Sequence, residues 1–159
     1  MEIKYFMMSF RYNKKNPSDF DLQKSSQEDI YVYQQDNSLW KPIQLYDLGW
    51  GKENGYYRLP MLTFQQLFNL LVISDNQENK YGAAAVIMDN YNDELFETCI
   101  KLFSKNINLT KYINVFKILQ LDLPLNRSSI LNKNYSEIEA DYKRWNGLTE
   151  KVKSIISSK

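Results

Sequence analysis

The chain has no histidine, one cysteine, four prolines and five glycines in 159 residues. Without histidine there is no Ser-His-Asp triad, no Cys-His pair and no imidazole ligand for a metal. A single cysteine, Cys99, cannot close an intrachain disulfide, which fits a reducing compartment. So little Pro and Gly argues against a collagen-like or disordered chain. No apolar run approaches the roughly 20 residues that span a bilayer. The start, Met1-Glu2-Ile3-Lys4, lacks the apolar core and cleavage site of a secretory leader. A soluble cytoplasmic protein without a membrane partner is expected. A charge excess is also missing: 20 basic side chains face 19 acidic ones. Residues 1–60 carry 8 basic and 8 acidic groups, 61–132 carry 6 and 7, and 133–159 carry 6 and 4, so no segment is strongly basic. Nothing electrostatic points to nucleic acid.

What is present is core material, 43% hydrophobic residues, in a length that suits one domain over 1–159. Residues 1–60 read mainly as strands. Over residues 2–12 both alternating faces are largely apolar, as in a covered strand, although Ile3, Phe6, Met7 and Phe10 also match helical spacing; aromatic enrichment favours the strand. Residues 13–27, with Pro17, read as a loop. Ile30–Tyr33 and Leu39–Tyr46 read as a hairpin around Asp36-Asn37-Ser38, where short polar side chains bond nearby backbone. Pro42 cannot donate to a ladder, which predicts an edge strand. Asn54-Gly55 predicts another turn before Tyr56–Leu59.

After Pro60 the period becomes helical. Thr63 and Gln66 form a capping box before Phe64, Leu67, Phe68 and Leu71. A second helix starts at Asp75 or Asn76. Tyr81–Met88 is apolar nearly all round, which marks a buried helix, with Gly82 as its weak point. A third helix starts near Asn92, with Asp93 and Glu94 at its positive end, and a short one covers Leu109–Leu119. A last helix, expected to be capped by Ser136 and Glu139, carries the stripe Ile138, Tyr142, Trp145, Leu148, Val152 and Ile156. Strands first and helices after predict an α+β fold: a small antiparallel sheet, then a packed layer of about five helices.

Candidates for chemistry are few. Cys99 lies mid-stripe on the third helix and reads as a packed core thiol. Gly49–Gly55 lacks the Lys-Ser/Thr ending of a phosphate loop and reads as a hairpin connection. The carboxylates of Asp89–Glu94 lack the spacing of a calcium loop, and helix-end charge accounts for Asp93 and Glu94. Arg11, Lys14 and Lys15 beside Tyr12 read as solvent-facing charges. No catalytic residue, cofactor or metal site is expected. A carboxylate-dependent enzyme using Asp89, Asp93 or Glu97 with a divalent ion stays open as the alternative, as does an adaptor or subunit of a larger assembly. The strongest surface candidates are Tyr46, Trp50, Tyr56, Tyr57 and Arg58, because Tyr, Trp and Arg anchor protein interfaces.

The order of elements, and residues Tyr81–Phe103 (YGAAAVIMDNYNDELFETCIKLF) in particular, resembles small cytoplasmic immunity proteins of bacterial polymorphic-toxin systems. The resemblance covers about one seventh of the chain. It implies a non-enzymatic protein that binds a cognate toxin stoichiometrically. The balanced charge departs from immunity proteins that cap basic nucleases with an acidic surface, and strong charge complementarity is not expected.

Overall fold

The computed structural model describes residues 1–9, 14–47 and 51–158, and the side chains of all of these except 46, 47, 51 and 52. The chain is α+β. Strands β1 (Phe6–Ser9), β2 (Leu22–Lys24), β3 (Tyr31–Tyr33), β4 (Leu39–Asp47) and β5 (Gly51–Arg58) form one antiparallel sheet in the order β1-β5-β4-β3-β2. Helices α1 (Phe64–Ile73), α2 (Gln77–Asn90), α3 (Asn92–Ser104), α4 (Ile113–Ile118) and α5 (Tyr135–Ser157) follow. Two compact units divide the chain, Met1–Val86 and Ile87–Lys159. The division falls within α2, not at Pro60 where the sequence changes period. Among the described residues no helix is long and apolar enough to cross a membrane.

In the first unit the sheet alternates as a pleated sheet must. Register places Met7, Trp40, Tyr31 and Tyr56 on one face, and Phe6, Met8, Gly55 and Tyr57 on the other. Three expectations need correction here. Residues 13–27 are not all loop: Pro17–Phe20 is a 3-10 turn boxed by Asn16 and Asp19, and Leu22–Lys24 pairs with β3. Strand β4 is not at the edge, since β5 and β3 flank it. Pro42 is tolerated because pairing with β3 ends at Trp40. The Leu39 carbonyl accepts from Leu59 N–H on the β5 side (2.7 Å), so even-numbered residues, Pro42 among them, turn their backbone nitrogen toward the side where β3 has stopped. Asn54-Gly55 is not a turn but lies within β5. Gly55 is required by close approach, since a Cβ there would sit 2.5 Å from the Met7 carbonyl and 2.7 Å from Leu45 Cδ1. The hairpin connection expected over Gly49–Gly55 lies partly outside the described residues.

The outer edge of β1 is closed by α2. Asn79 Oδ1 accepts from the N–H groups of Tyr5 (2.8 Å) and Phe6 (3.3 Å), and Glu78 Oε2 accepts from Met8 N–H (2.7 Å). An unpaired strand edge thereby loses its free donors to side chains of a helix. Asn79 is fully buried, and its Nδ2 donates to the Ile3 carbonyl (2.9 Å), so the amide is satisfied at both ends. The same helix lies so close to β1 that a Cβ on Gly82 would be 2.1 Å from Phe6 Cγ. Gly82, expected as a weak point, is therefore the residue that lets α2 approach the strand. Thr63 and Gln66 form the expected capping box of α1, and Asn76 Oδ1 accepts from Asn79 N–H (3.0 Å) at the start of α2.

The second unit buries Leu95, Phe96, Cys99 and Leu102 of α3 and Trp145, Leu148, Thr149 and Val152 of α5. Phe96 meets Trp145 edge to face at 5.0 Å, and Phe103 stacks on Phe116 at 5.9 Å. The cap of α5 lies two residues earlier than expected: Asn134 Oδ1 accepts from Glu137 N–H (2.9 Å), and Glu137 Oε2 from Asn134 N–H (2.8 Å). Both Asn134-x-x-Glu137 and Ser136-x-x-Glu139 fit the box pattern, and the chain uses the first. Arg127 Nη2 donates to the carbonyls of Leu119 (2.7 Å) and Gln120 (2.9 Å), closing the end of α4.

Candidate functional site

Strand β5 presents three of the five aromatic and basic candidates, and its pleat separates them. Tyr56 is half-buried on the face of Met7 and Trp40. Its ring meets Tyr31 at 5.3 Å and Phe20 at 5.8 Å, both edge to face. Burial, and then the neighbouring Tyr31, raise its phenol pKa above the ordinary value, so it remains a hydroxyl donor at neutral pH. Tyr57 points to the opposite face, where its register partner is Lys41. Arg58 returns to the face of Tyr56 but is engaged at the β3–β4 turn, with Nη1 2.9 Å from Asp36 Oδ2. The side chain of Tyr46 and the whole of Trp50 lie outside the described residues.

The Asp36 turn is a closed polar chain. The Ser38 hydroxyl and N–H both donate to Asp36 Oδ1, and Trp40 Nε1 donates to Ser38 Oγ (2.8 Å). The Ser38 hydroxyl is the largest influence holding the Asp36 carboxyl below its ordinary value; the Ser38 N–H and Arg58 act in the same direction, against partial burial. Arg58 is thus a pin between β5 and the turn as well as a surface cation.

Beside Tyr56 the sheet face opens into a cleft of about 610 Å³. Tyr31, Tyr56, Gln44 and Asn54 come from the sheet, and Lys14 and Lys15 from the segment that crosses it. That segment is tied down. Lys15 N–H donates to Ser9 Oγ (2.7 Å), and Lys15 Nζ stands 5.1 Å from the Phe20 ring centroid. The cleft lies above a small core of Met7, Leu22 and Trp40, against which Phe20, Tyr31, Tyr33 and Tyr56 pack. Of the three candidates whose side chains are described, Tyr56, Tyr57 and Arg58, only Tyr56 lines this cleft. Sequence reasoning missed Tyr31 and Gln44 as its companions. The alternation of β3 and β4 could put them on one face of their own strands, but only the pairing register brings those faces beside Tyr56.

The groups weighed for catalysis are placed differently. Cys99 is fully buried, and burial pushes its thiol up to about 12, with Arg127 pulling the other way. It is a core side chain and not a nucleophile. Asp93 Oδ1 lies 4.0 Å from Arg144 Nη2. Among the described residues, no three His, Cys, Asp or Glu side chains are grouped so as to hold a metal ion. The chain matches no protein family, no curated protein and no solved structure.

Proposed function

We propose that this protein acts by binding another protein, as an immunity protein that neutralises a bacterial toxin in the cytoplasm by stoichiometric association. The observation that carries the reading is the open aromatic cleft on one sheet face, with Tyr31 and Tyr56 held edge to face over a buried Trp40. Tyrosines fixed in this way offer contact area and a hydroxyl donor at little cost in side-chain entropy. The chemistry of the chain supports the same reading. It has no histidine, and its one thiol is buried and raised. Co-expression with the adjacent open reading frame tests it. The neighbouring product should arrest growth alone, growth should return when both are made, and the two should run as a one-to-one complex on gel filtration. No protection and no complex would contradict the reading.

A further inference from the structure

We propose that the cleft on the open face of the sheet is the docking site for an acidic, extended peptide segment of the protein partner. The proposal rests on the protein-binding reading above and names the part of the partner that this surface takes. Charge carries it. Lys14 and Lys15 line the cleft, and among the described residues no carboxylate does. In a chain of balanced charge, this hollow is one-signed.

The cation is also placed. The Ser9 hydroxyl fixes the backbone of Lys15, and the Lys15 ammonium lies over Phe20. Phe20 abuts Tyr56, and Tyr56 abuts Tyr31, so a positive charge stands at one end of a row of three rings. An extended acidic segment satisfies both features. Its carboxylates meet the ammonium groups, while an intervening apolar side chain lies on the tyrosines. Gln44 and Asn54 are exposed at the sheet surface and offer amide donors and acceptors to its backbone. The volume of about 610 Å³ falls within the range that encloses a few extended residues.

A phosphorylated small ligand fits less well. The lining holds no guanidinium among the described residues. The nearby 3-10 turn directs its free donors to its own side chains, with Asn16 N–H donating to Asp19 Oδ2 (2.7 Å).

The test uses the full chain labelled with nitrogen-15 and followed by amide shifts. The probes are a blocked hexapeptide of alternating Asp and Leu, its Asn-Leu and Lys-Leu counterparts, inorganic phosphate and ATP. The acidic peptide should give saturable shifts centred on Tyr31, Gln44, Asn54 and Tyr56. These should weaken about tenfold or more in a Lys14→Glu, Lys15→Glu variant and fall with added salt. Both lysines are exposed, so the variant should keep its spectrum elsewhere. No shifts with the acidic peptide, equal shifts with the Asn or Lys peptide, or stronger shifts with phosphate or ATP would overturn the proposal. The two readings fail separately. A partner complex that survives Lys14→Glu, Lys15→Glu unchanged keeps the function and removes the cleft from it. A wild-type chain that binds the acidic peptide but forms no protein complex removes the function and leaves a peptide site.

Discussion

On one face of the sheet Phe6 and Met8 are buried to within 2% of complete exclusion from solvent, and the Phe6 ring leaves no room for a methyl group on Gly82. On the other face, one pleat away, Tyr31 and Tyr56 stay half-exposed beside an open cleft. Both faces belong to the same strands, and the open one is the richer in aromatic residues, with Tyr31, Tyr33, Trp40 and Tyr56 against Phe6 and Tyr57. The difference lies in what covers them. Helix α2 covers β1 with a glycine and two edge-capping polar side chains. Among the described residues, a short 3-10 turn sets Phe20 over part of the other face. Close packing makes the first face a source of stability. On the second, the side chains that line the cleft stay accessible above the buried Met7, Leu22 and Trp40. Substitutions that damage the first should unfold the chain, as should those of Met7, Leu22 and Trp40 beneath the cleft, whereas substitutions of the exposed side chains that line the cleft should change binding alone.

The largest expected effect comes from α2. Ala85 is 1% exposed, so Ala85→Asp places a carboxylate in a packed helix surface without a partner. A loss on the order of 5 kcal/mol, enough to prevent folding, is expected. Circular dichroism on heating checks it, and a soluble variant with a wild-type melt would show that this helix is not central. Gly82→Ala is subtler. A helix-interior alanine should gain about 1 kcal/mol, yet the clash with Phe6 should outweigh it and leave a net loss of about 2 kcal/mol. Urea midpoints measure this, and adding Phe6→Leu should restore part of the loss.

These two glycine and alanine positions also show what was legible. The buried character of Tyr81–Met88 followed from apolar residues around the helix. Gly82 read as a defect because propensity describes a helix alone, and the Phe6 ring that requires it lies 76 positions away in sequence. The element order, the capping box at Thr63 and the turn at Asp36 were legible because each is local. Strand β2 was not, because Leu22–Lys24 has too few residues to show alternation and is defined by its pairing with β3. Pro42 misled for a related reason: it reports a missing partner on one side of one residue, not the place of the whole strand. For the candidate site, Tyr56 was legible as an interface-type aromatic, although the Asn54-Gly55 turn expected beside it is strand; its separation from Tyr57 needed only the pleat, and its junction with Tyr31 needed the register.

A control for the packed glycine lies in α5. Nothing stands within 4 Å of a Cβ built on Gly147. Gly147→Ala should therefore stabilise by about 1 kcal/mol, opposite in sign to Gly82→Ala, as a rise in urea midpoint. The smallest effect is at the end of the open face. Asp36 has its carboxyl held below the ordinary value of 3.8, so its contribution is present above that pH and is lost as pH falls through the folded-state value. Its side chain is 39% exposed, so Asp36→Asn should cost at most about 1 kcal/mol at neutral pH. The variant should lose less stability than the wild type between pH 5 and pH 2, which melts across that range would show.

The central claim is that the open face binds and the closed face holds the fold. The most direct measurement is complex formation with the co-expressed neighbouring gene product, by gel filtration, for the wild type and for a Lys14→Glu, Lys15→Glu variant with its thermal melt recorded alongside. The account predicts a cooperative melt close to wild type and loss of the one-to-one complex. A variant that folds and still forms the complex with wild-type affinity would contradict it.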